Sequence, residues 1–475
     1  MSQLSEDILY LVFKVMKDDK KTLYSCLLTN RTWCRIAVPI LWKNPWNLKD
    51  SGWKQMLNVI ISHLSNESRN TLKNICIDLL PFLTNPYQKP LFDYISFCRH
   101  LDLVSIDYII LKFTNKESNS ILTNEIINLF INGSRKFTHL YIPYNFNFQI
   151  HLIPEVRSCL SEIEFLSCNA NINDDIMAGL ADICKSIKKL EFFINDDNYG
   201  IIRLIEAQQN LFNLDLKSHY LYDNDVIRNL ENSLIKHANT IQYLKISKGK
   251  LYKKVLASFI NLKVLELDCG SNNWECLENL SLPYLQILRT KNVPIKGLIS
   301  LIENTKGYLI EIKIDNTYHN IVDNKRIIQV IYEKCPNLIF LKSVLRNNNI
   351  LEFENLLVNC QNLTGLYILT NEANLFIDDY SFSVDRTFDW DKLFEILNLS
   401  SPISLFKFKF KFNYFLSPKL NSLKLFFDNW KDRHSIYLQL SQIRCDIENL
   451  MVEKYKSGIV KRFNNMILND EFEWI

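Results

Sequence analysis

The strongest constraint on the fold is a short apolar pattern that recurs along most of the chain. One apolar residue is followed three positions later by a second and, in most copies, two positions after that by a third. Successive copies between Phe137 and Leu363 begin 21 to 30 positions apart, a period typical of repeat architectures. The copies are Leu72/Ile75/Ile77, Leu101/Val104/Ile106, Phe137/Leu140/Ile142, Leu160/Ile163/Phe165, Ile187/Leu190/Phe192, Leu211/Leu214/Leu216, Ile241/Leu244/Ile246, Leu262/Leu265/Leu267, Leu285/Leu288, Leu309/Ile312/Ile314, Leu338/Leu341, Leu363/Leu366/Ile368 and Leu405/Phe408/Phe410.

Each copy predicts a short buried strand, because residues at alternate positions of a strand point to the same face. Helical spacing between copies, as at residues 223–237 and 326–335, predicts helices that separate the strands. One such unit cannot bury its apolar face alone, whereas stacked units share a continuous core. The sequence therefore predicts an α/β solenoid shaped as an arc, with a parallel sheet on the concave face and helices on the convex face.

The spacing, together with Cys184, Cys335 and Cys360 shortly before their strands, resembles cysteine-containing leucine-rich repeats. The resemblance implies degenerate repeats over residues 72–418, with an insertion near residues 378–391. Residues 419–475 are expected to form a terminal repeat and a C-terminal cap, since repeat arrays need a polar outer end. The elements predicted near this end are a basic strand at 406–412, a helix from Pro418 to Trp430, a strand at 435–440, a helix at 446–455 and an acidic tail at 469–471.

Residues 1–46 have a different character and predict a small helical domain, joined to the repeats by a helical linker at 47–71. Ser5 is a suitable residue to cap a first helix. That helix carries apolar residues at helical spacing, namely Ile8, Leu9, Val12, Phe13 and Met16. Thr22 is predicted to cap a second helix, with Leu23, Cys26, Leu27 and Asn30 along one face. A unit of this size is marginal alone and needs a partner or a neighbouring domain.

The order of residues in this domain resembles the F-box motif, and in particular a large group of fungal F-box proteins. The residues aligned with the motif are Leu4, Ser5, Ile8, Leu9, Val12, Phe13, Leu23, Cys26, Leu27, Asn30, Arg31, Trp33, Leu41 and Trp42. Ser5 departs from the family's usual Pro, Cys26 from a frequent Val and Asn30 from a frequent Cys. The residues by themselves also fit a generic helical hairpin that caps the repeats.

The resemblance implies a substrate receptor of a cullin-based ubiquitin ligase, in which the F-box binds a Skp-family adaptor and the repeats bind a protein substrate. The implied adaptor contacts are Leu4, Ser5, Ile8, Leu9, Phe13, Leu23, Leu27 and Trp42, with Val12, Cys26, Arg31, Trp33 and Leu41 supporting the motif. Outward strand positions are the candidate substrate contacts: Glu191, Asp215, Lys217, Lys245, Glu266, Asp268, Lys313, Asp315 and Tyr367. The alternative is a protein-binding repeat scaffold without a ubiquitin role.

Composition and spacing argue against several function classes. A formal net charge of +3 gives no strong attraction to nucleic acid or an anionic membrane. The 10 glycines are never closer than the pair Gly297 and Gly307, whereas a phosphate-binding loop needs several within a few residues. Cysteine and histidine spacings fit no zinc motif. We therefore expect no cofactor, no metal, no nucleic-acid or membrane partner and no catalytic residue, although a site assembled from distant residues stays open.

Two smaller expectations concern charge and compartment. Lys407, Lys409 and Lys411 lie on the outward side of the basic strand, where we expect solvated lysines or a contact for an acidic partner. The 12 cysteines are scattered, which predicts free, mostly buried thiols in a reducing compartment. The cytoplasm, the nucleus or both are the expected locations.

Overall fold

The protein is described by a computed structural model. It covers residues 5–48, 51–75, 80–83, 90–114, 116–133, 135–168, 172–194, 199–218, 224–247, 253–268, 275–315, 320–370, 388–412, 416–430, 433–441 and 445–464. The chain forms two structural units. The first comprises residues 1–212 and 224–233, and the second comprises residues 213–223 and 234–475.

The first unit begins with helices and continues as strands that alternate with helices. Its helices are α1 (Glu6–Val15), α2 (Lys20–Leu27), α3 (Arg31–Leu41), α4 (Gly52–Ser62), α5 (Asn66–Ile75), α6 (Leu80–Leu83), α7 (Tyr94–Phe97), α8 (Leu103–Phe113), α9 (Lys116–Phe130), α10 (Val156–Leu160), α11 (Asp174–Ile183), α12 (Tyr199–Glu206) and most of α13 (Asn224–Ile235). Its strands are β1 (His100–Asp102), β2 (His139–Tyr141), β3 (Phe165–Cys168) and β4 (Lys189–Ile194). The four strands pair in parallel in chain order.

The second unit repeats a strand-then-helix pattern. Its strands are β5 (Asn213–Ser218), β6 (Tyr243–Ser247), β7 (Val264–Asp268), β8 (Ile287–Lys291), β9 (Glu311–Asp315), β10 (Phe340–Leu345), β11 (Gly365–Thr370), β12 (Lys407–Lys411), β13 (Ile436–Leu440) and β14 (Val460–Asn464). Its helices are α14 (Lys253–Ser258), α15 (Ile295–Glu303), α16 (Ile321–Lys334), α17 (Ile350–Asn359), α18 (Trp390–Ser400), α19 (Leu420–Asn429) and α20 (Cys445–Lys456). Neighbouring strands pair in parallel from β5 to β14, and the helices from α15 to α20 each contact the next.

Inward side chains of neighbouring strands stack in register and form the core. Leu244 pairs with Leu265, Leu265 with Leu288 and Leu288 with Ile312, and all four are fully buried. Strands β6 and β7 alternate strictly between buried and partly exposed positions. The predicted α/β repeat solenoid is thus confirmed by parallel strands in chain order that alternate with helices.

Two predicted strand positions are wrong by three residues. Leu101 pairs with Leu140 and is therefore the central inward residue of β1, while Val104 and Ile106 lie on helix α8. Leu166, rather than the predicted Ile163, takes the equivalent inward place in β3. Both segments are rich in Leu, Ile and Phe, so several alignments of the apolar pattern fit them, and only strand pairing distinguishes these alignments.

The first predicted copy of the pattern is a helix. Leu72 and Ile75 lie on α5, and Ile77 lies outside the described residues. Near the C-terminus, the predicted strand and helix match β13 and α20, and β14 is an additional strand that the sequence analysis missed. The acidic tail and most of the predicted insertion lie outside the described residues.

A buried glutamine joins two neighbouring repeats of the first unit. The Oε1 atom of Gln208 accepts a hydrogen bond from the Ile187 backbone N–H at 2.9 Å. Its Nε2 atom donates to the backbone carbonyls of Cys184 and Leu204, both at 2.8 Å. These backbone groups flank the loops before β4 and after α12, so one side chain holds both loops in place.

We expect Gln208→Ala to lower the free energy of unfolding by about 2 kcal/mol or more, because it leaves buried backbone groups without partners. Gln209→Ala is the matched control, since Gln209 is exposed and its removal should change stability by less than about 0.5 kcal/mol. Urea unfolding followed by circular dichroism measures both. Equal effects of the two substitutions would contradict this role for Gln208.

Candidate functional site

The N-terminal helices α1, α2 and α3 pack around an apolar centre. Phe13, Leu23, Cys26 and Ala37 are buried there, and six partly buried residues pack against them: Met16, Leu27, Trp33, Ile36, Ile40 and Leu41. The rings of Phe13 and Trp33 meet edge to face with centroids 5.3 Å apart. Many of the motif residues therefore form the interior of this small domain.

Polar caps determine where the three helices begin. Ser5 caps α1 as predicted and accepts a hydrogen bond from the Ile8 backbone N–H at 3.4 Å. Asp19, not Thr22, caps α2: its carboxylate accepts from the Thr22 backbone N–H at 3.1 Å and from the Thr22 hydroxyl at 2.6 Å. Asn30 caps a separate third helix and accepts from the Trp33 backbone N–H at 2.9 Å. The predicted small helical domain therefore contains three helices.

Burial divides the implied adaptor contacts into two groups. Leu9, Phe13 and Leu23 are buried inside the domain, so they stabilise its fold and present no surface to a partner. Ile8 is exposed, whereas Leu27 and Trp42 are partly buried. The exposed Ser5 acts as a cap and Leu4 lies outside the described residues. Among the supporting residues, Cys26 is buried, Trp33 and Leu41 are partly buried, and Val12 and Arg31 are exposed.

Helix α1 carries a second apolar surface that faces away from the core. Ile8, Leu11, Val12 and Val15 follow the i, i+3, i+4, i+7 spacing of one helical face. They are 47, 59, 44 and 85 % exposed, respectively. We call these four residues the α1 stripe. The sequence analysis missed Leu11 and Val15. The sequence could have indicated them, because its apolar residues fall on two different faces of this helix.

The end of the three-helix domain packs on the repeats of the same unit. The Trp42 ring lies 4.6 Å from the Tyr94 ring on α7, measured between centroids. The Trp46 indole N–H donates to the backbone carbonyl of His100 in β1 at 2.8 Å, and the Arg99 N–H donates to the Lys43 carbonyl at 3.0 Å. These contacts occupy one face of Trp42 and attach the domain to the first strand, while the α1 stripe stays exposed.

The outward face of β5 to β9 carries a row of charges that pair with one another. Strand register places Asp215, Lys245, Glu266 and Arg289 side by side. Lys245 lies 3.9 Å from Asp215 and 3.8 Å from Glu266, measured between nitrogen and carboxylate oxygen. The Arg289 guanidinium bonds to Glu266 and to Glu311, both at 2.6 Å. We call these five residues the charge ladder.

Three of the predicted substrate contacts belong to the charge ladder and are already paired within the chain. Asp215, Lys245 and Glu266 neutralise neighbouring charges, so a ligand would have to compete with pairs that already exist. Arg289 and Glu311 were not predicted, because their importance depends on which strands become neighbours. Among the remaining candidates, Glu191 lies on β4, Lys217 on β5, Asp268 on β7 and Lys313 on β9, and all four are at least partly exposed. Asp268 pairs with Lys291 at 3.7 Å.

The middle outward positions of β10 to β12 are buried, which contradicts the expected exposure of Tyr367 and Lys409. Lys407 and Lys411 on β12 are partly exposed. Lys342 is 0 % exposed, with its Nζ atom 2.6 Å from the Asp315 carboxylate and 4.6 Å from the centroid of the Tyr367 ring. Tyr367 and Lys409 are buried as well. The ion pair and the ring compensate part of the desolvation of the Lys342 ammonium group. Tyr367 and Lys409 therefore present no open contact surface.

A row of stacked rings crosses the outward face of β1 to β3. His100 and His139 stack with centroids 3.8 Å apart, and the His139 ring lies 5.4 Å from that of Phe165. Burial, followed by repulsion from Lys43 and from His139 once acid protonates it, lowers the pKa of His100 to about 3. Burial also lowers the pKa of His139. Both rings are therefore neutral at pH 7 and stack without charge repulsion.

Other site chemistry has little support in the described residues. Nine cysteines whose side chains the structure describes are free, and eight of these are buried, as predicted. Within the same residues, no group of three His, Cys, Asp or Glu side chains is arranged to share a metal ion. No helix in the described ranges has both the length and the apolarity needed to cross a membrane.

Comparison with known proteins gives structural neighbours only. No family model matches the chain, and no curated protein matches it. Among solved structures, the chain is similar to the crystal structure of the Rad7 and Elc1 complex in yeast, with 14 % identity and a TM-score of 0.40 over 88 % of this chain and 92 % of that chain. It is also similar to the leucine-rich repeat-containing protein LegL7 from Legionella pneumophila, with 14 % identity and a TM-score of 0.30 over 71 % and 85 %. The fold assignment is therefore based on strand order and register.

We expect acid to destabilise the protein through His100. In the unfolded chain a histidine binds a proton below a pKa of about 6.5, whereas folded His100 stays neutral down to a pKa of about 3. The unfolded state therefore binds more protons as the pH falls from about 6.5 toward 3, and stability drops through that window. His100→Phe keeps a stacking ring but removes the titration, so the variant should lose less stability than the wild type between pH 7 and pH 5.

Thermal unfolding at pH 7, 6 and 5 measures this difference. His434→Phe is the matched control, because the His434 side chain is exposed, and it should follow the wild-type pH dependence. An identical pH dependence of wild type and His100→Phe would rule out His100 as a source of acid sensitivity.

Proposed function

We propose that this protein is a substrate receptor of a Skp-cullin-F-box type ubiquitin ligase. The three-helix domain docks on a Skp-family adaptor, which connects it to the cullin. The repeats hold a protein substrate. The chain supplies proximity, which raises the effective concentration of substrate near the ubiquitin-transfer machinery, and supplies no bond-making residue. Such a protein would work in the cytoplasm, the nucleus or both.

The observation that carries this proposal is the α1 stripe. A contiguous exposed apolar surface on a folded domain is typical of a protein-binding site. An amphipathic helix commonly buries such residues, at i, i+3, i+4 and i+7, in an apolar groove of its partner. The stripe lies on the first helix of the domain that resembles the F-box, so both lines of reasoning assign the same helix to the adaptor.

Exposure on the structure supports a revised set of contact residues. Ile8, Leu11, Val12 and Val15 are the proposed adaptor contacts on α1. Leu28, directly after α2, is 90 % exposed and is a further apolar side chain that the adaptor could cover. The buried motif residues Leu9, Phe13 and Leu23 act indirectly, because they hold the helices that present the stripe.

We expect the double substitution Ile8→Asp/Leu11→Asp to abolish adaptor binding while the domain stays folded. Both side chains are exposed, so the new carboxylates cost little in the free protein but would be desolvated in an apolar interface. Loss of two central contacts should weaken the complex by at least about 100-fold. Co-expression with a Skp-family adaptor and size-exclusion chromatography would show a one-to-one complex for the wild type and none for the variant.

Tyr10→Asp is the matched control, since Tyr10 is exposed on the same helix but lies outside the stripe. It should bind the adaptor like the wild type, and circular dichroism should show equal helix content in all three proteins. If the wild type forms no complex, the ligase role fails and a protein-binding repeat scaffold is the remaining interpretation. If the double variant still binds, the stripe is not the interface.

A further inference from the structure

The first unit contains a cavity that none of the roles described above uses. It lies between α8, α9 and residues 143–148, and its volume is about 160 Å³. Pockets for drug-sized ligands and cofactors typically measure about 300–1,000 Å³. This cavity is therefore too small for such a molecule and has the size needed to hold a single side chain of a bound protein.

The walls of the cavity are largely apolar. Ile106 and Ile110 contribute from α8, Ile127 from α9, and Phe146 and Phe148 from the segment after β2. Ile106, Ile110, Ile127 and Phe146 are buried, so these lining residues are held in place by packing against the rest of the unit. An occupant must therefore have an aliphatic or planar part that can lie against these walls.

One carboxyl group interrupts the apolar lining. Asp107 lies on α8 between Ile106 and Tyr108, and among the described lining residues it alone carries a formal charge at neutral pH. Burial raises the pKa of Asp107, and no basic group of the described residues offsets this effect. The described structure thus has a partly buried carboxylate, beside a cavity, without a positive counter-ion.

The remaining polar residues of the lining carry oxygen acceptors. Thr123, Asn145 and Asn147 are also among the lining residues, and each has a side-chain oxygen that can accept a hydrogen bond. Asn145 adopts a φ of 57°, a left-handed conformation that Asn tolerates better than most residues, and this lets the chain turn at the cavity wall. A ligand with several N–H donors and a positive charge would satisfy this set best.

We propose that this cavity receives an arginine side chain from a partner protein, with Asp107 as its counter-ion. The guanidinium group donates two parallel hydrogen bonds to a carboxylate and is weakly hydrated, so it enters a partly apolar cavity more easily than an ammonium group. Its plane stacks on aromatic rings, of which Phe146 and Phe148 are two in the lining. The inference is independent of adaptor docking, which involves α1.

The probe for this site is N-acetyl-arginine N-methylamide, and its uncharged isostere is the corresponding citrulline derivative. Saturation-transfer difference NMR with the full chain detects weak binding of such small molecules. We expect a saturable signal from the arginine derivative and none from the citrulline derivative at equal concentration. The lysine derivative should bind more weakly than the arginine derivative.

Asp107→Asn keeps the shape of the side chain and removes its charge, so it should weaken binding of the arginine derivative by at least about tenfold. Glu125→Gln on α9 is the matched control, because Glu125 is a carboxylate outside the cavity lining, and it should bind like the wild type. Thermal unfolding would verify that both variants are folded. Equal binding of the arginine and citrulline derivatives to the wild type, or of the arginine derivative to Asp107→Asn, would overturn the proposal.

Discussion

The structure depends on the burial of inward side chains between successive parallel strands. A single strand-and-helix repeat exposes the apolar faces of both its elements, and only a neighbouring repeat can cover them. Leu265 illustrates this constraint, because it lies between Leu244 and Leu288 and is fully buried only when both adjacent strands are in register. The same register then determines which polar side chains become neighbours on the outward face, including Arg289 beside Glu266.

The outward surfaces differ along the sheet because their neighbours differ. In β1 to β3 neutral rings stack, and in β5 to β9 opposite charges pair. In β10 to β12, Lys342 lies buried against Asp315 and Tyr367. Much of the surface that would be the obvious place for a substrate is thus engaged in contacts within the chain. The three-helix domain shows the opposite arrangement, since α1 buries one apolar face and leaves a second one exposed.

The repeats could be predicted from the sequence because the same apolar pattern recurs many times along the chain. Leu262, Leu265 and Leu267 fit the pattern, and all three are buried. The prediction failed where many apolar residues adjoin: the alignments of the copies that begin at Leu101 and Leu160 were wrong by three positions. The first of these errors concealed helix α8 and with it Asp107. Helix boundaries at Asp19 and Asn30 depended on capping geometry that composition does not reveal. The charge ladder could not be predicted, because its members are far apart in sequence and become neighbours only through strand pairing.

The central claim is that the α1 stripe, and not the buried motif residues, contacts the adaptor. Hydroxyl-radical footprinting of the native chain, alone and mixed with a Skp-family adaptor, tests this claim residue by residue. The account predicts that Leu11 and Val15 are reactive in the free chain and protected in the mixture, while the buried Phe13 is unreactive in both. Equal reactivity of Leu11 and Val15 with and without the adaptor would contradict it.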